Sequence, residues 1–228
     1  MTQRSPASAY VLARIHARHG LRAGDADWAR LAAHRDYHGY LKAVAGTPLA
    51  PFVANLPADA DIHGVERHMR AVWSVYVADI AQWHGPDVRG ALRRLIDLPA
   101  LPARGYLARG EAQPGWLTAP ETGDLDAASG DGSALTVWRT GVLRALPDRT
   151  VRQVAKEMLD ELIAVGDGGV PHAGPLRAKA QRLFRRSRHP MGRVLAHLAC
   201  VASDLLELRG ELCVRLALGD VGAREGAS

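Results

Sequence analysis

Apolar residues return at three- and four-residue steps over residues 62–83, where Ile62, Val65, Met69, Val72, Trp73, Tyr76, Val77, Ile80 and Trp83 form one wide stripe. That period places them on one face of an α-helix and predicts an amphipathic helix laid against a core. Asp61 stands where an N-cap belongs, and HGPD at 84–87 supplies a stop and a new start. Shorter patterns of the same kind predict helices over 6–19, 25–33, 36–45 and 86–97, with a piece near 100–109 disturbed by Pro99, Pro102 and Gly105. Helical periodicity resumes over 134–146, 148–165 and 174–188.

The strongest pattern closes the chain. Over 190–218, Met191, Leu198, Leu205 and Leu212 recur every seven residues with Val194, Val201 and Leu208 between them, and Pro190 opens the segment. The opposite side carries Arg193, Asp204, Glu207, Glu211 and Arg215, the last two at a favourable i, i+4 spacing. This reads as a long core helix of a bundle. Alternating strand patterns are absent, so the expected fold is all-α, a bundle of about ten helices. It divides into an N-terminal helical module at 1–110 and a related C-terminal module at 134–228. The segment 111–133 between them is acidic and rich in Gly and Pro, and reads as a linker or long loop.

Composition narrows the class without naming a task. Hydrophobic residues at 47% and charged residues at 23% belong to a packed protein and not to a disordered one. The net charge of +5 favours anionic partners, but lysines are confined to Lys42, Lys156 and Lys179, so arginine carries the excess. Cys200 and Cys213 fall in one predicted helix roughly 20 Å apart and cannot pair within the chain. With no disulfide framework, no signal-peptide core and no membrane-spanning run, the expected setting is cytoplasmic.

Candidate chemistry is sparse. His34 and His38 in HRDYH share a helix face, but Arg35 stands where a zinc-protease motif needs its glutamate. There is no nucleophile elbow, no phosphate-binding glycine loop, and the glycines of GDGG at 166–169 read as a turn after a helix. Asp160 and Glu161 are adjacent and face different sides of their helix. No catalytic residue, metal site, cofactor or small-molecule substrate is expected.

One cluster stands out. Residues 177–193 hold Arg177, Lys179, Arg182, Arg185, Arg186, Arg188 and Arg193 with no acid among them. Several phosphate contacts could be made from it, with Phe184 as the one residue able to stack on a base. The same charges also suit a helix C-terminus and a protein-docking edge, for which Arg182, Arg185, Arg186, Arg188 and Arg193 are the candidate partner-binding residues.

The order of the segments resembles a known family. YVLARIHARHG (10–20), YHGYLKAVAGTPLAPFV (37–53), DIHGVERHMRAVW (61–73) and RGALRRLIDLPALPARGYLARG (89–110) are similar to the N-terminal module of the stalk-cap subunit of V/A-type rotary ATPases, called C in prokaryotes and d in eukaryotes. HPMGRVLAHLACVASDLLELRGELCVRLALG (189–219) resembles that family's closing helix, with Asp204, Glu207, Leu208 and Arg209 at its acidic and Leu-Arg positions. Family members are longer and built from three modules, where this chain has room for about two, and Pro99 and Pro102 replace an Asn-containing stretch.

The resemblance implies a shortened, non-catalytic central-stalk subunit of a proton- or sodium-translocating ATPase. Its partners would be the other central-stalk subunits and the membrane rotor ring, met peripherally at the cytoplasmic membrane. The competing reading is a basic helical nucleic-acid-binding or regulatory adaptor protein.

Overall fold

A computed structural model describes residues 6–101, 134–146, 148–163 and 173–225, together with Leu107, Gly110, Ala112 and Trp116. The chain is an all-α bundle. Its helices are α1 (Pro6–Gly20), α2 (Asp25–Ala32), α3 (Tyr37–Val44), α4 (Ala50–Val53), α5 (Ile62–Gln82) and α6 (Pro86–Arg93), followed by a 3-10 helix, Arg94–Ala100. After these come α7 (Ala134–Ala145), α8 (Arg149–Ile163), α9 (Ala173–Arg186) and α10 (Pro190–Glu225). Among the described residues there is no strand, and no helix is long and apolar enough to cross a membrane. The acidic segment 111–133 and the GDGG turn lie outside the described residues, apart from Ala112 and Trp116.

Local chemistry sets the starts. Asp61 accepts from the Gly64 amide at 2.6 Å and Asp36 from the Gly39 amide at 2.7 Å, capping α5 and α3. Asp148 does the same for the Val151 amide of α8 at 2.9 Å. Each takes up one of the amides that a helix N-terminus leaves without an internal partner. Pro86 and Pro190 open α6 and α10, where a missing N–H costs nothing.

The helix expected over 86–97 behaves differently. Its α-helical part stops at Arg93 and the chain tightens into the 3-10 helix. Pro99 cannot donate, and its ring disfavours α conformation at Leu98. Two indoles then hold the tighter turn from outside: Trp138 Nε1 donates to the Arg94 carbonyl at 2.7 Å and Trp73 Nε1 to the Leu95 carbonyl at 2.8 Å. The short helix α4 within the PLAPFV stretch is a further addition to the periodic pattern.

α10 is the axis of the bundle. It packs against α9 most extensively, and also against α5, α8, α1 and α3. The heptad residues Met191, Val194, Leu198, Val201, Leu205, Leu208 and Leu212 are all buried, in one cluster with Ile15 of α1, Val44 of α3, Val65 and Val77 of α5, and Leu159 of α8. Both halves of the sequence therefore supply one apolar core. The polar side of α10 is not simply solvated: Asp204 is 1% and Arg215 8% exposed. α1, α3 and α9 cover that side, so α10 is buried nearly all round in its middle, and its charges must be matched inside the bundle.

Candidate functional site

Two features could serve function: a buried polar seam along α10 and an exposed arginine edge at the α9–α10 turn. The seam is a helical stripe. Arg193, His197, Cys200, Asp204, Glu207, Glu211 and Arg215 follow one another at three- and four-residue steps. Each meets side chains delivered by another helix or by its own preceding turn.

At its centre is a charge quartet. Arg22, just after α1, places Nε 2.8 Å and a terminal nitrogen 2.6 Å from Asp204 Oδ2, and also donates to the Cys200 carbonyl at 3.2 Å. Arg177 of α9 pairs with Glu207, and its Nε lies 3.1 Å from Asp204 Oδ1, outside hydrogen-bond alignment. The Arg177 guanidinium also covers the Trp28 ring at 4.7 Å. Two cations and two anions cancel, which lets the group stay buried. Burial pushes the Asp204 carboxyl above its ordinary value, against the pull of Arg22 and then Arg177.

Two turns toward the start of α10, His197 is fully buried. Its Nε2 lies 2.8 Å from the Tyr76 hydroxyl and its Nδ1 3.4 Å from His19 Nδ1. His19 stacks on Phe184 with ring centroids 3.7 Å apart. Burial first, and then neighbouring cations, hold His19 down to about 4 and His197 to about 3, so both imidazoles are neutral near pH 7. Burial likewise pushes the Cys200 thiol up to about 11, which keeps it a thiol and a poor nucleophile.

Toward the far end, Arg215 donates to the His34 carbonyl at 2.8 Å, pairs with Glu211 at 2.5 Å and lies over the Tyr40 ring at 3.9 Å. On an adjacent face Glu66 of α5 is held by Arg70 at 2.8 Å and by Arg209 at 3.0 Å. Apart from Arg215–Glu211 and Glu66–Arg70, which lie within one helix, these contacts cross between elements far apart in sequence. They fix the register of α10 against α1, α3, α5 and α9.

The arginine edge has a different character. Arg182, Arg185, Arg186 and Arg188 are exposed, while Arg193 is half-buried, donating to the Ser187 carbonyl at 2.9 Å and contacting His16. Arg186 pairs with Glu161 at 2.6 Å; Arg182, Arg185 and Arg188 have no carboxylate partner among the described residues. The turn carrying them is tightly held. Ser187 donates from its amide to the Leu183 carbonyl at 2.8 Å and presses on Gly192, where a Cβ would stand 2.1 Å from Ser187 Oγ. A side chain at 192 would push the Ser187 hydroxyl aside.

The structure splits the basic cluster of 177–193. Arg177 lies in the core and Lys179 pairs with Glu161 at 2.7 Å, so neither is free for an outside anion. Phe184 is 5% exposed and covered by His19, so it cannot stack on a base. His34 and His38 join no third ligand: among the described residues no group of three or more His, Cys, Asp or Glu side chains is placed to hold a metal. Asp160 and Glu161 indeed go separate ways, to Lys156 and Arg139, and to Lys179 and Arg186.

The seam was missed in sequence because its members look like a solvated stripe. The available signal was a second stripe along and just past α1, where His16, His19 and Arg22 follow at three-residue steps beside the apolar Ile15. No family model, curated protein or solved structure matches this chain.

Proposed function

We propose that the chain is a non-catalytic central-stalk subunit of a V/A-type rotary ATPase, a shortened relative of the C (eukaryotic d) cap. In this role it joins the catalytic stalk to the membrane rotor ring from the cytoplasmic side and passes torque between ATP hydrolysis and proton or sodium movement. The observation that carries the reading is the ordered series of family-like segments, three of which, 10–20, 61–73 and 189–219, fall on α1, α5 and α10, helices that share one core.

The charged seam supports it mechanically. A part that transmits torque must resist sliding of one helix past another, and ion pairs crossing to α10 from α5, α9 and the turn after α1 oppose such slip. The edge of Arg182, Arg185, Arg186, Arg188 and Arg193 is the docking surface for a central-stalk neighbour, with complementary acids expected on that neighbour. A nucleic-acid adaptor would rest on the same exposed arginines, but without Arg177, Lys179 and Phe184.

Affinity isolation of the tagged chain from its native source tests the proposal. Rotor-ring and central-stalk subunits should accompany it, and replacing Arg182, Arg185, Arg186 and Arg188 by Ala should release the stalk partner. Isolation free of every ATPase subunit would sink the proposal. Tight duplex or single-strand binding that weakens steeply with salt would favour the adaptor instead.

A further inference from the structure

The arginine edge is not the only cationic surface. On the other side of α1, Tyr10, Arg14 and Arg18 form an i, i+4, i+8 stripe facing α5. The Arg14 guanidinium lies 4.2 Å and the Arg18 guanidinium 4.6 Å from the centroid of Trp83. Arg14 also donates to the Tyr10 hydroxyl at 2.6 Å, while Arg18 pairs with Asp79 and lies 5.3 Å from the Tyr76 ring centroid. Two like charges are thus gathered on one indole, and among the described residues only one carboxylate answers them.

We infer that this face of α1 and α5 is a second docking site, and that its occupant is an acidic protein segment that sets a carboxylate on Arg14. Contact with the Trp83 ring restrains the Arg14 guanidinium before the partner arrives, which lowers the ordering cost of a bidentate carboxylate contact. Tyr10, 55% exposed, and Val75, 70% exposed and one turn from Asp79 on α5, offer apolar contact beside the charge. Arginine with tryptophan and tyrosine is the composition of energetic centres in protein interfaces. Arg18 pairs with Asp79, so the patch keeps a net charge of one, which answers a single carboxylate and falls short of the several cations that a run of phosphates engages. A protein carboxylate therefore fits better than a nucleic acid. The site is independent of which assembly the chain joins.

The test uses the full chain and two fluorescein-labelled helical peptides, one of glutamate, leucine and alanine and the other with lysine in place of glutamate, followed by anisotropy at low salt. The glutamate peptide should bind and the lysine peptide should not. Arg14→Ala and Trp83→Ala should each weaken binding at least about fivefold. Arg14→Lys keeps the charge and the helix yet should also weaken it, because an ammonium neither forks onto a carboxylate nor stacks flat. Lys42→Ala, an exposed cation on α3 outside both surfaces, should change binding less than about twofold.

The inference is overturned if the wild type fails to bind the glutamate peptide, or if the Arg14 and Trp83 variants match it. Equal losses from Arg14→Ala and Lys42→Ala would also overturn it by revealing diffuse attraction. So would an oligothymidylate that binds with the same dependence on Arg14.

Discussion

Asp204 is the residue on which the interior balance turns. It sits 1% exposed between Arg22 and Arg177, and a neutral amide of the same shape leaves two buried guanidiniums with Glu207 as their remaining counter-charge. Asp204→Asn is therefore expected to destabilise the fold by about 3–5 kcal/mol, read as a lower urea midpoint. The buried histidines add a pH dependence of definite sign. His19 and His197, and with them His84, are held by burial at about 4, about 3 and about 4, below the ordinary 6.5. Between those values the unfolded chain binds more protons than the folded one. Stability then rises with pH, and is lost as pH falls from about 6.5 toward about 4. The groups facing His197 are His19, Arg18 and Arg22 from the α1 side and Tyr76 from α5, with Asp204 farther along α10, so the cations reinforce the effect. Urea midpoints measured across this range should slope downward in acid, and His197→Gln should flatten the slope. A flat wild-type profile would contradict the assignment.

At the scale of elements, α10 carries the core and α5 shows how local signals fix a start. Leu208 is fully buried at the middle of α10, so Leu208→Ala should cost about 2–5 kcal/mol by calorimetry or urea. Asp61→Ala removes a side-chain cap and should cost about 1 kcal/mol, with faster hydrogen exchange confined to the first turn of α5. These two elements were the most legible in sequence. A seven-residue apolar recurrence and an N-cap aspartate are local facts, and local facts survive folding. The 3-10 helix after α6 was not legible because its indole partners come from α5 and α7, although Pro99 gave half of the warning. The burial of Asp204 and Arg215 was hidden for the same reason. A charge on a helix reads as solvated until a distant chain segment covers it, and Arg22 lies 182 residues from Asp204.

For the whole molecule, the architecture is an all-α bundle around one shared core. One core and several cross-element ion pairs tie the helices together, and two faces are cationic, the α9–α10 turn and the α1–α5 face. Of the candidate site, the arginine edge was visible from charge alone, whereas the removal of Arg177 and Lys179 from it required their acidic partners on α10 and α8. In the role we propose, the chain acts by connecting its neighbours. The most direct measurement is ATP-driven ion transport in membranes of the native source after deletion of this chain and after its return. The account predicts that ion transport collapses on deletion while the catalytic head still hydrolyses ATP, and that transport returns with the wild-type chain but not with the chain lacking Arg182, Arg185, Arg186 and Arg188. Unchanged ATP-driven transport in the deletion would contradict it.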